Sequence, residues 1–172
     1  MAKVVFLDRD GVINEKAAPH EYVTRWEQFR FLPQAAEAIA RLHAAGYATV
    51  IVSNQRCVAR GLASEEEIRQ LHERMCRALA EQGAYIDAVY VCPHEEGSCH
   101  CRKPEIGLFL QAEERFSVDK AESWMIGDSA SDMEAGQRYG VHTVLVNNTK
   151  DICGDRQCRD LSAAADLILN GR

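Results

Sequence analysis

Short apolar runs alternate along the chain with longer segments in which apolar residues recur at helical spacing. The runs predict buried strands at 4–7, 48–52, 86–91, 124–126 and 143–146. The segments between them predict amphipathic helices near 33–45, 65–82, 106–115 and 131–139. This alternation predicts a three-layer, Rossmann-like α/β fold with a central parallel sheet and right-handed crossovers.

Local signals mark the ends of the predicted helices. Ser64 and Glu67 have the spacing of a capping box, and Gly83 lies just beyond the last apolar position of the same helix. Pro33 suits the first turn of the preceding predicted helix, the one near 33–45. After Asn147 the pattern weakens, and we expect a short helix and an edge strand there.

The chain has 172 residues, which is enough for one hydrophobic core, so we expect a single domain spanning 1–172. The segment 92–101 is predicted to be a loop inserted into that domain. The insertion after the first strand, 15–31, is too short to form a separate cap domain. A minimal cap or no cap is therefore expected.

The chain carries a formal net charge of −6 and shows no basic stripe or run of like charge. This argues against a nucleic acid or an anionic membrane as a partner. No apolar stretch approaches membrane-spanning length, and Met1, Ala2 and Lys3 lead straight into the first strand without a signal-peptide core. We therefore expect a cytoplasmic protein that binds a small molecule, and we expect it to be a monomer.

Four residues of the predicted loop have the spacing of metal ligands: Cys92 with His94, and Cys99 with Cys101. Alternate residues of an extended segment share one side, and Gly97 between the two pairs lets the loop double back. A Cys3His set suits tetrahedral Zn2+, and four protein ligands leave no open position, so this zinc is expected to be structural. A disulfide or redox pair is one alternative, and a catalytic zinc is another.

Polar residues stand at the carboxyl ends of four predicted strands, or in the loop that follows them. Such ends meet at one edge of a parallel sheet, where ligands bind. Clustered carboxylates facing a phosphorylated ligand suit Mg2+, whereas a solvated turn is the alternative for the first pair alone. Convergence of four strand ends favours a phosphoryl-transfer site. These residues are Asp8 and Asp10, Ser53 and Asn54, Arg102 and Lys103, and Gly127 and Asp128.

The same residues form four motifs that resemble, in order, those of the haloacid dehalogenase superfamily over residues 3–146. Each motif alone is weak, but the set at these strand ends is specific. The resemblance implies the α/β fold and a phosphatase that works through an aspartyl phosphate. The motifs are Asp8-x-Asp10-Gly11, Ser53, Lys103-Pro104, and Gly127-Asp128-Ser129-Ala130-Ser131-Asp132.

The resemblance also implies a role for each motif residue. Asp8 is the expected nucleophile, and Asp10 is expected to protonate the leaving alkoxide and then to take a proton from the attacking water. Ser53 and Lys103 are expected to bind the oxygens of the transferring phosphoryl group. The expected ligands of Mg2+ are Asp8, the backbone carbonyl of Asp10, and Asp128.

Two of the motif residues have simpler interpretations. Ser53 could be a turn or capping residue. Asp132 is expected to support either a metal-bound water or Lys103, and its alternative is a helix-start carboxylate favoured by the helix dipole.

Within the superfamily, the Cys/His loop directly before Lys103 resembles the group that dephosphorylates heptose bisphosphates and histidinol phosphate and carries a structural zinc there. The segment from Asn54 through Gln55 and Arg56 to Gly61 resembles the heptose enzymes more closely. Arg102 is expected to bind a second phosphate, because a guanidinium binds phosphate in a bidentate manner. The expected substrate-binding residues are Asn54, Gln55, Arg56 and Arg102.

The resemblance implies magnesium-dependent hydrolysis of the 7-phosphate of a heptose 1,7-bisphosphate, used for a surface polysaccharide. Histidinol phosphate or another small sugar phosphate is the alternative substrate, and a binding module that has lost turnover is the alternative class. The chain departs from the heptose pattern in two places, at Arg56-Cys57 and at Ser129, where many members carry Ser-Gly and lysine. Both places lie near the expected substrate.

Overall fold

The computed structural model describes residues 1–147 and 152–171. Its centre is a parallel sheet of six strands in the order β3-β2-β1-β4-β5-β6. The first strand of the chain therefore lies inside the sheet, between β2 and β4. The strands are β1 Val4–Leu7, β2 Ala48–Asn54, β3 Ala88–Cys92, β4 Trp124–Gly127, β5 His142–Val146 and β6 Arg156–Cys158.

Within the described residues, five α-helices cover the two faces of the sheet. Helices α1, α2 and α5 pack on one face, and α3 and α4 pack on the other. Because β1 is buried on both faces, every one of its side chains is apolar, which is typical of a central parallel strand. The helices are α1 Ala35–Ala44, α2 Glu65–Ala80, α3 Gly107–Glu113, α4 Ala130–Tyr139 and α5 Leu161–Asn170.

The two core layers follow the alternation of side chains along β1. Val5 and Leu7 belong to the larger core, and Val4 and Phe6 belong to the smaller one. Phe6 packs on Phe109 with ring centroids 4.8 Å apart. The predicted three-layer α/β fold with a parallel sheet is confirmed.

The segment after β1 forms a loop and not a cap domain. Within 15–31 the regular structure is one 3-10 turn, Trp26–Gln28. Val23 and Phe29 are buried in the larger core, so the loop is anchored to the domain at these two residues. The expectation of a minimal cap is therefore confirmed.

Element boundaries differ from the predicted ones where backbone geometry intervenes. Helix α1 begins at Ala35 and not at Pro33, because Gln34 at its N-cap has a left-handed conformation with φ 60°. Strand β2 continues through Ser53 and Asn54, which pair with β3. The capping box at Ser64 and Glu67 is present, and helix α2 starts there as predicted.

The helix and edge strand expected after Asn147 are present in the order strand, then helix, as β6 and α5. Residues 148–151 of that stretch, and residue 172 of the predicted domain, lie outside the described part of the chain. Within the described part, no helix has both the length and the apolar character needed to cross a bilayer.

Candidate active site

The carboxyl ends of β1, β2 and β4 and the loop after β3 converge on one cavity of about 250 Å³. Most of the polar residues singled out at the strand ends line it. Ser53 and Arg56 do not. The sequence-predicted residues that line the cavity are Asp8, Asp10, Asn54, Gln55, Arg102, Lys103, Asp128 and Asp132.

Lys103 lies at the centre of the charged groups. Its Nζ is 2.9 Å from Oδ1 of Asp8 and 2.6 Å from Oδ1 of Asp132, and it donates to the carbonyl of Val52 at 2.7 Å. The Lys103 side chain is 2% exposed, so little water screens these contacts. Burial alone would lower the pKa of Lys103, but Asp132 and Asp8 raise it, and the ammonium stays protonated.

Asp132 is placed by the start of α4. Its Oδ2 accepts the backbone N–H groups of Asp128 and Ser129 at 3.2 Å and the Ser129 hydroxyl at 2.7 Å. Ser129 is the N-cap of α4 and forms a capping box with Asp132. Ser129 therefore holds Asp132 in position, and Asp132 holds Lys103.

Two glycines permit the close approach of these carboxylates. A Cβ on Gly11, which has φ +84°, would lie 2.2 Å from Oδ2 of Asp128. A Cβ on Gly127 would lie 2.2 Å from the Cβ of Asp132. Any side chain at either position would push an aspartate out of the site.

Oxygens of Asp8, Asp128 and Asp132 all lie within 4.8 Å of one another, as a divalent ion requires. Oδ1 of Asp128 is buried and accepts no hydrogen bond from the described residues. Hard oxygen donors of this kind are those that Mg2+ prefers. The residues present therefore fit the predicted ion, and Asp10 enters the predicted ligand set through its backbone carbonyl alone.

The carboxylate of Asp10 is not part of this cluster. Its Oδ1 accepts hydrogen bonds from Arg9 Nη2 at 2.8 Å and Asn14 Nδ2 at 2.9 Å, and its Oδ2 accepts one from Gln55 Nε2 at 3.0 Å. Arg9 is fully buried. Burial raises the pKa of Asp10, but Arg9, Asn14 and Gln55 together lower it by more. The pKa of Asp10 therefore lies below its ordinary value.

The pKa of Asp8 moves in the opposite direction. Burial and the neighbouring carboxylate of Asp132 raise the pKa of Asp8 to about 7, although Lys103 opposes them. Burial also raises the pKa of Asp128, against the effect of Lys16. Additional positive charge next to Asp8 and Asp128 would lower both pKa values and favour their ionised forms.

Two of the residues predicted to bind substrate hold the site together. The side chain of Asn54 donates to the carbonyl of Lys103 and accepts from its backbone N–H, both at 3.0 Å. Gln55 bridges Asp10 and the Ser53 hydroxyl, which it contacts at 2.8 Å. Both still line the cavity, so a substrate contact is compatible with these bonds.

Ser53 and Arg56 lie outside the cavity lining. Ser53 is fully buried because β2 runs two residues further than predicted. Arg56 is directed toward the Cys/His loop, where its Nη1 lies 3.1 Å from Glu95 and its Nε donates to the hydroxyl of Tyr22 at 3.4 Å. Neither role predicted for these two residues is tested by this arrangement.

Arg102 lines both the active-site cavity and an adjoining one of about 680 Å³. Its Nη1 is buried and has no hydrogen-bond partner in the described part of the chain. A guanidinium with a buried, spare donor is suited to an anionic ligand. This geometry is compatible with the predicted binding of a second phosphate.

The predicted zinc ligands form a compact cluster beside the cavity. Sγ of Cys92 and Sγ of Cys99 are 3.6 Å apart, and Nδ1 of His94 is 3.2 Å from Sγ of Cys101. Four ligands around one zinc at ordinary bond lengths stand about 3.8 Å apart or slightly less. The donor set therefore fits Zn2+, and the cysteines are free of disulfides. His100 is exposed and outside the cluster.

Sequence reasoning missed three residues of the site. Lys16, from the loop after β1, lies 2.8 Å from Oδ2 of Asp128. Alternate residues of an extended segment point to opposite sides, so Arg9 would face away from Asp8 and Asp10, yet its guanidinium returns to Asp10. Asn14 reaches Asp10 because the turn at Gly11 folds the chain back. In the sequence, Arg9 and Asn14 stand inside an otherwise apolar stretch, and this position was the available sign that they are buried near the site. Nothing in the sequence around Lys16 marks it as a site residue.

The comparisons with known proteins agree with this geometry. The model of the HAD-hydrolase-like family matches residues 100–170. The D-glycero-β-D-manno-heptose-1,7-bisphosphate 7-phosphatase of Pasteurella multocida is 42% identical, over 90% of this chain and 87% of its own length. The enzyme of the same name from Vibrio cholerae is 44% identical, over 88% of this chain and 86% of its own.

A solved structure extends the agreement to the fold. D,D-heptose 1,7-bisphosphate phosphatase from B. bronchiseptica, complexed with magnesium and phosphate, superposes with a TM-score of 0.89 at 34% identity, and 99% of each chain is covered. Sequence identity of this size over nearly the whole chain establishes common descent. The chain therefore belongs to the D-glycero-β-D-manno-heptose-1,7-bisphosphate 7-phosphatase family of HAD-like hydrolases.

Proposed function

We propose that this chain is a magnesium-dependent phosphatase that removes the 7-phosphate of D-glycero-β-D-manno-heptose 1,7-bisphosphate. The observation that supports the proposal most strongly is the buried contact of Lys103 with Asp8 and Asp132 at the carboxyl ends of the strands. The identity of the proposed substrate comes from relatives that are named for this reaction and are 42% and 44% identical to this chain. The cytoplasmic location and the monomeric state stay predictions from the sequence.

In the first step an oxygen of Asp8 attacks the phosphorus of the 7-phosphate and forms a new O–P bond as the bond to the sugar oxygen breaks. Asp10 donates its proton to that sugar oxygen, so a neutral alcohol leaves. The pKa of Asp10 lies below its ordinary value in the free protein. A phosphate dianion beside it raises that pKa, which lets Asp10 hold the proton when substrate is present.

In the second step water attacks the aspartyl phosphate. Asp10 takes the proton of the water, inorganic phosphate leaves, and Asp8 is regenerated. Lys103 compensates the negative charge on the phosphoryl oxygens through both steps, since its ammonium is fixed before the substrate arrives. Asp8, Asp128 and the backbone carbonyl of Asp10 would hold Mg2+, which supplies positive charge to the phosphoryl group and to the carboxylates.

The Cys/His loop contributes by holding Arg102 and Lys103 in place. The backbone N–H of Arg102 donates to Sγ of Cys99 at 3.4 Å, directly linking the proposed zinc site to the substrate residues. Cys92, His94, Cys99 and Cys101 would hold Zn2+. We infer that Arg102 binds the second phosphate of the substrate in the adjoining cavity.

The test is phosphate release measured as kcat/KM with heptose 1,7-bisphosphate, in both anomeric forms, against histidinol phosphate. We expect a strong preference for the bisphosphate, and loss of turnover in Asp8→Asn. The Arg102→Ala variant should lose more on the bisphosphate than on histidinol phosphate, because the latter has no second phosphate. Equal or better turnover of histidinol phosphate would contradict the proposed substrate while leaving the chemistry in place.

A further inference from the structure

Arg9 stands between the two aspartates of the first motif and is completely buried. Its guanidinium has partners on every side. Nη2 donates to Oδ1 of Asp10 at 2.8 Å and to the carbonyl of Val23 at 2.9 Å. Nε donates to the same Asp10 oxygen at 3.3 Å. The remaining nitrogen, Nη1, lies 3.0 Å from Nε2 of His72, which is contributed by helix α2.

This contact determines the state of the His72 ring. A guanidinium has donors only, so Nε2 of His72 must be the acceptor and the ring proton must be on Nδ1. His72 is 4% exposed. Burial and the adjacent charge of Arg9 lower the pKa of His72 to about 3, so the ring stays neutral. A neutral ring with an unprotonated Nε2 is the form that this contact requires.

We propose that His72 is a positioning residue for catalysis: by accepting from Nη1 it fixes the orientation of Arg9, and Arg9 in turn fixes the carboxylate of Asp10. The inference rests on the proposed function, in which Asp10 is the acid and base. His72 does not line the active-site cavity, so its effect passes through Arg9.

The physical reason is the cost of a buried donor without an acceptor. If His72 were apolar, Nη1 of Arg9 would lose its acceptor although Arg9 is fully buried. The guanidinium would turn toward another acceptor and loosen its two bonds to Oδ1 of Asp10. Asn14 and Gln55 would still hold Asp10, so the carboxylate would be misaligned and not lost.

A misaligned acid has a specific kinetic signature. The alkoxide of an alkyl phosphate is a poor leaving group and needs a proton in the transition state, whereas p-nitrophenolate leaves without one. Since kcat/KM reports the steps up to formation of the aspartyl phosphate, it isolates the leaving-group step from the later attack of water. Loss of Asp10 alignment therefore lowers kcat/KM for alkyl substrates more than for p-nitrophenyl phosphate.

The experiment compares His72→Leu and His72→Gln with the wild-type protein on heptose 1,7-bisphosphate and on p-nitrophenyl phosphate. The amide oxygen of glutamine reaches about as far as Nε2 of histidine, so His72→Gln keeps an acceptor for Arg9. Leu79→Ala is the matched control, because Leu79 is fully buried on the same helix and packs in the core. It destabilises α2 without touching Arg9.

We expect His72→Leu to lose about 100-fold in kcat/KM on the sugar phosphate, the size of a misplacement of about 1 Å, and less than about 5-fold on p-nitrophenyl phosphate. His72→Gln should recover most of the loss, and KM should change little. Equal losses on both substrates, as expected for Leu79→Ala, would overturn the inference. So would a His72→Gln variant no better than His72→Leu.

A measurement on the wild-type protein covers the case in which His72→Leu does not fold. The ring 15N chemical shifts of His72 should be those of the neutral tautomer with its proton on Nδ1. A proton on Nε2 would overturn the inference, because that nitrogen could not then accept from Arg9. Absence of phosphatase activity on both phosphate esters in the wild-type protein would instead refute the proposed function, whatever the tautomer.

Discussion

Two groups of side chains that could hold a metal ion lie at the same end of the sheet, and the fold supports them in different ways. Asp8, Asp128 and Asp132 stand at the end of β1, the end of β4 and the first turn of α4. Of the Cys/His cluster, only Cys92 belongs to a strand, and the other three ligands lie in irregular loop. The carboxylates are held by the sheet, whereas the loop ligands contact mainly one another.

The difference also appears in charge and burial. The carboxylates repel each other and are balanced by the buried ammonium of Lys103. In the Cys/His cluster His94 is exposed. The sulfur and nitrogen atoms that would bind the metal contact one another directly, as in the pairs Cys92–His94 and Cys99–Cys101. We conclude that the fold organises the carboxylate site, whereas a metal at the Cys/His site would organise its loop.

The largest expected effect comes from Asp8→Asn. It removes the nucleophile, and we expect kcat to fall by about 10⁴-fold or more. Stability should hold or rise in the metal-free protein, because one of several crowded negative charges disappears from a buried site. Steady-state kinetics and thermal unfolding check the two parts. A variant that loses activity only because it unfolds would contradict the conclusion that the sheet organises this site.

Alanine at two glycines compares the regions directly. Gly127→Ala would place a Cβ 2.2 Å from that of Asp132, so we expect about a 100-fold loss of kcat from displaced Asp132 and Lys103. In Gly97→Ala the new Cβ meets nothing within 4 Å, and only the left-handed φ of +73° costs about 1–2 kcal/mol. Kinetics and urea unfolding of both variants test this; similar activity losses would erase the distinction.

Loss of a loop ligand should act on stability first. We expect Cys99→Ser to bind less zinc and to lower the free energy of unfolding by about 3–5 kcal/mol, since loss of a metal site is among the severe single-residue effects. Activity should fall about 10-fold through Arg102 and Lys103. Metal content, thermal unfolding and kcat/KM check the three parts. Cys153→Ser, at an exposed thiol outside the cluster, is the matched control.

The smallest expected effect concerns Lys16, whose side chain is 58% exposed and paired with Asp128. An incoming Mg2+ must displace that ammonium, and an exposed pair is worth about 0–1 kcal/mol. Lys16→Ala should therefore bind Mg2+ about 2- to 5-fold more tightly in calorimetric titration without substrate. Lys3→Ala, at a salt bridge with Glu122, should bind it as the wild type does. Weaker binding in Lys16→Ala would mean that Lys16 supports the ion.

Much of the site was predictable because it depends on local order along the chain. Asp8, Asp10 and Asp128 lie at strand ends and Lys103 lies in the loop after β3, and parallel strands bring such ends together whatever the helices contain. The spacing of the Cys/His loop is likewise local. Ser53 was placed beyond β2 because the sequence does not mark where pairing with β3 stops.

The sequence by itself determined the α/β alternation, the identity of the charged residues at the sheet edge, and the spacing of the Cys/His loop, because each depends on neighbours in the chain. Only the tertiary structure decided which donor meets which acceptor. Arg9 reaches His72, Asn54 holds Lys103, and Arg56 turns to Glu95. These pairs are 63, 49 and 39 residues apart, and such contacts are set by how helices and loops pack on the sheet, which no local pattern records.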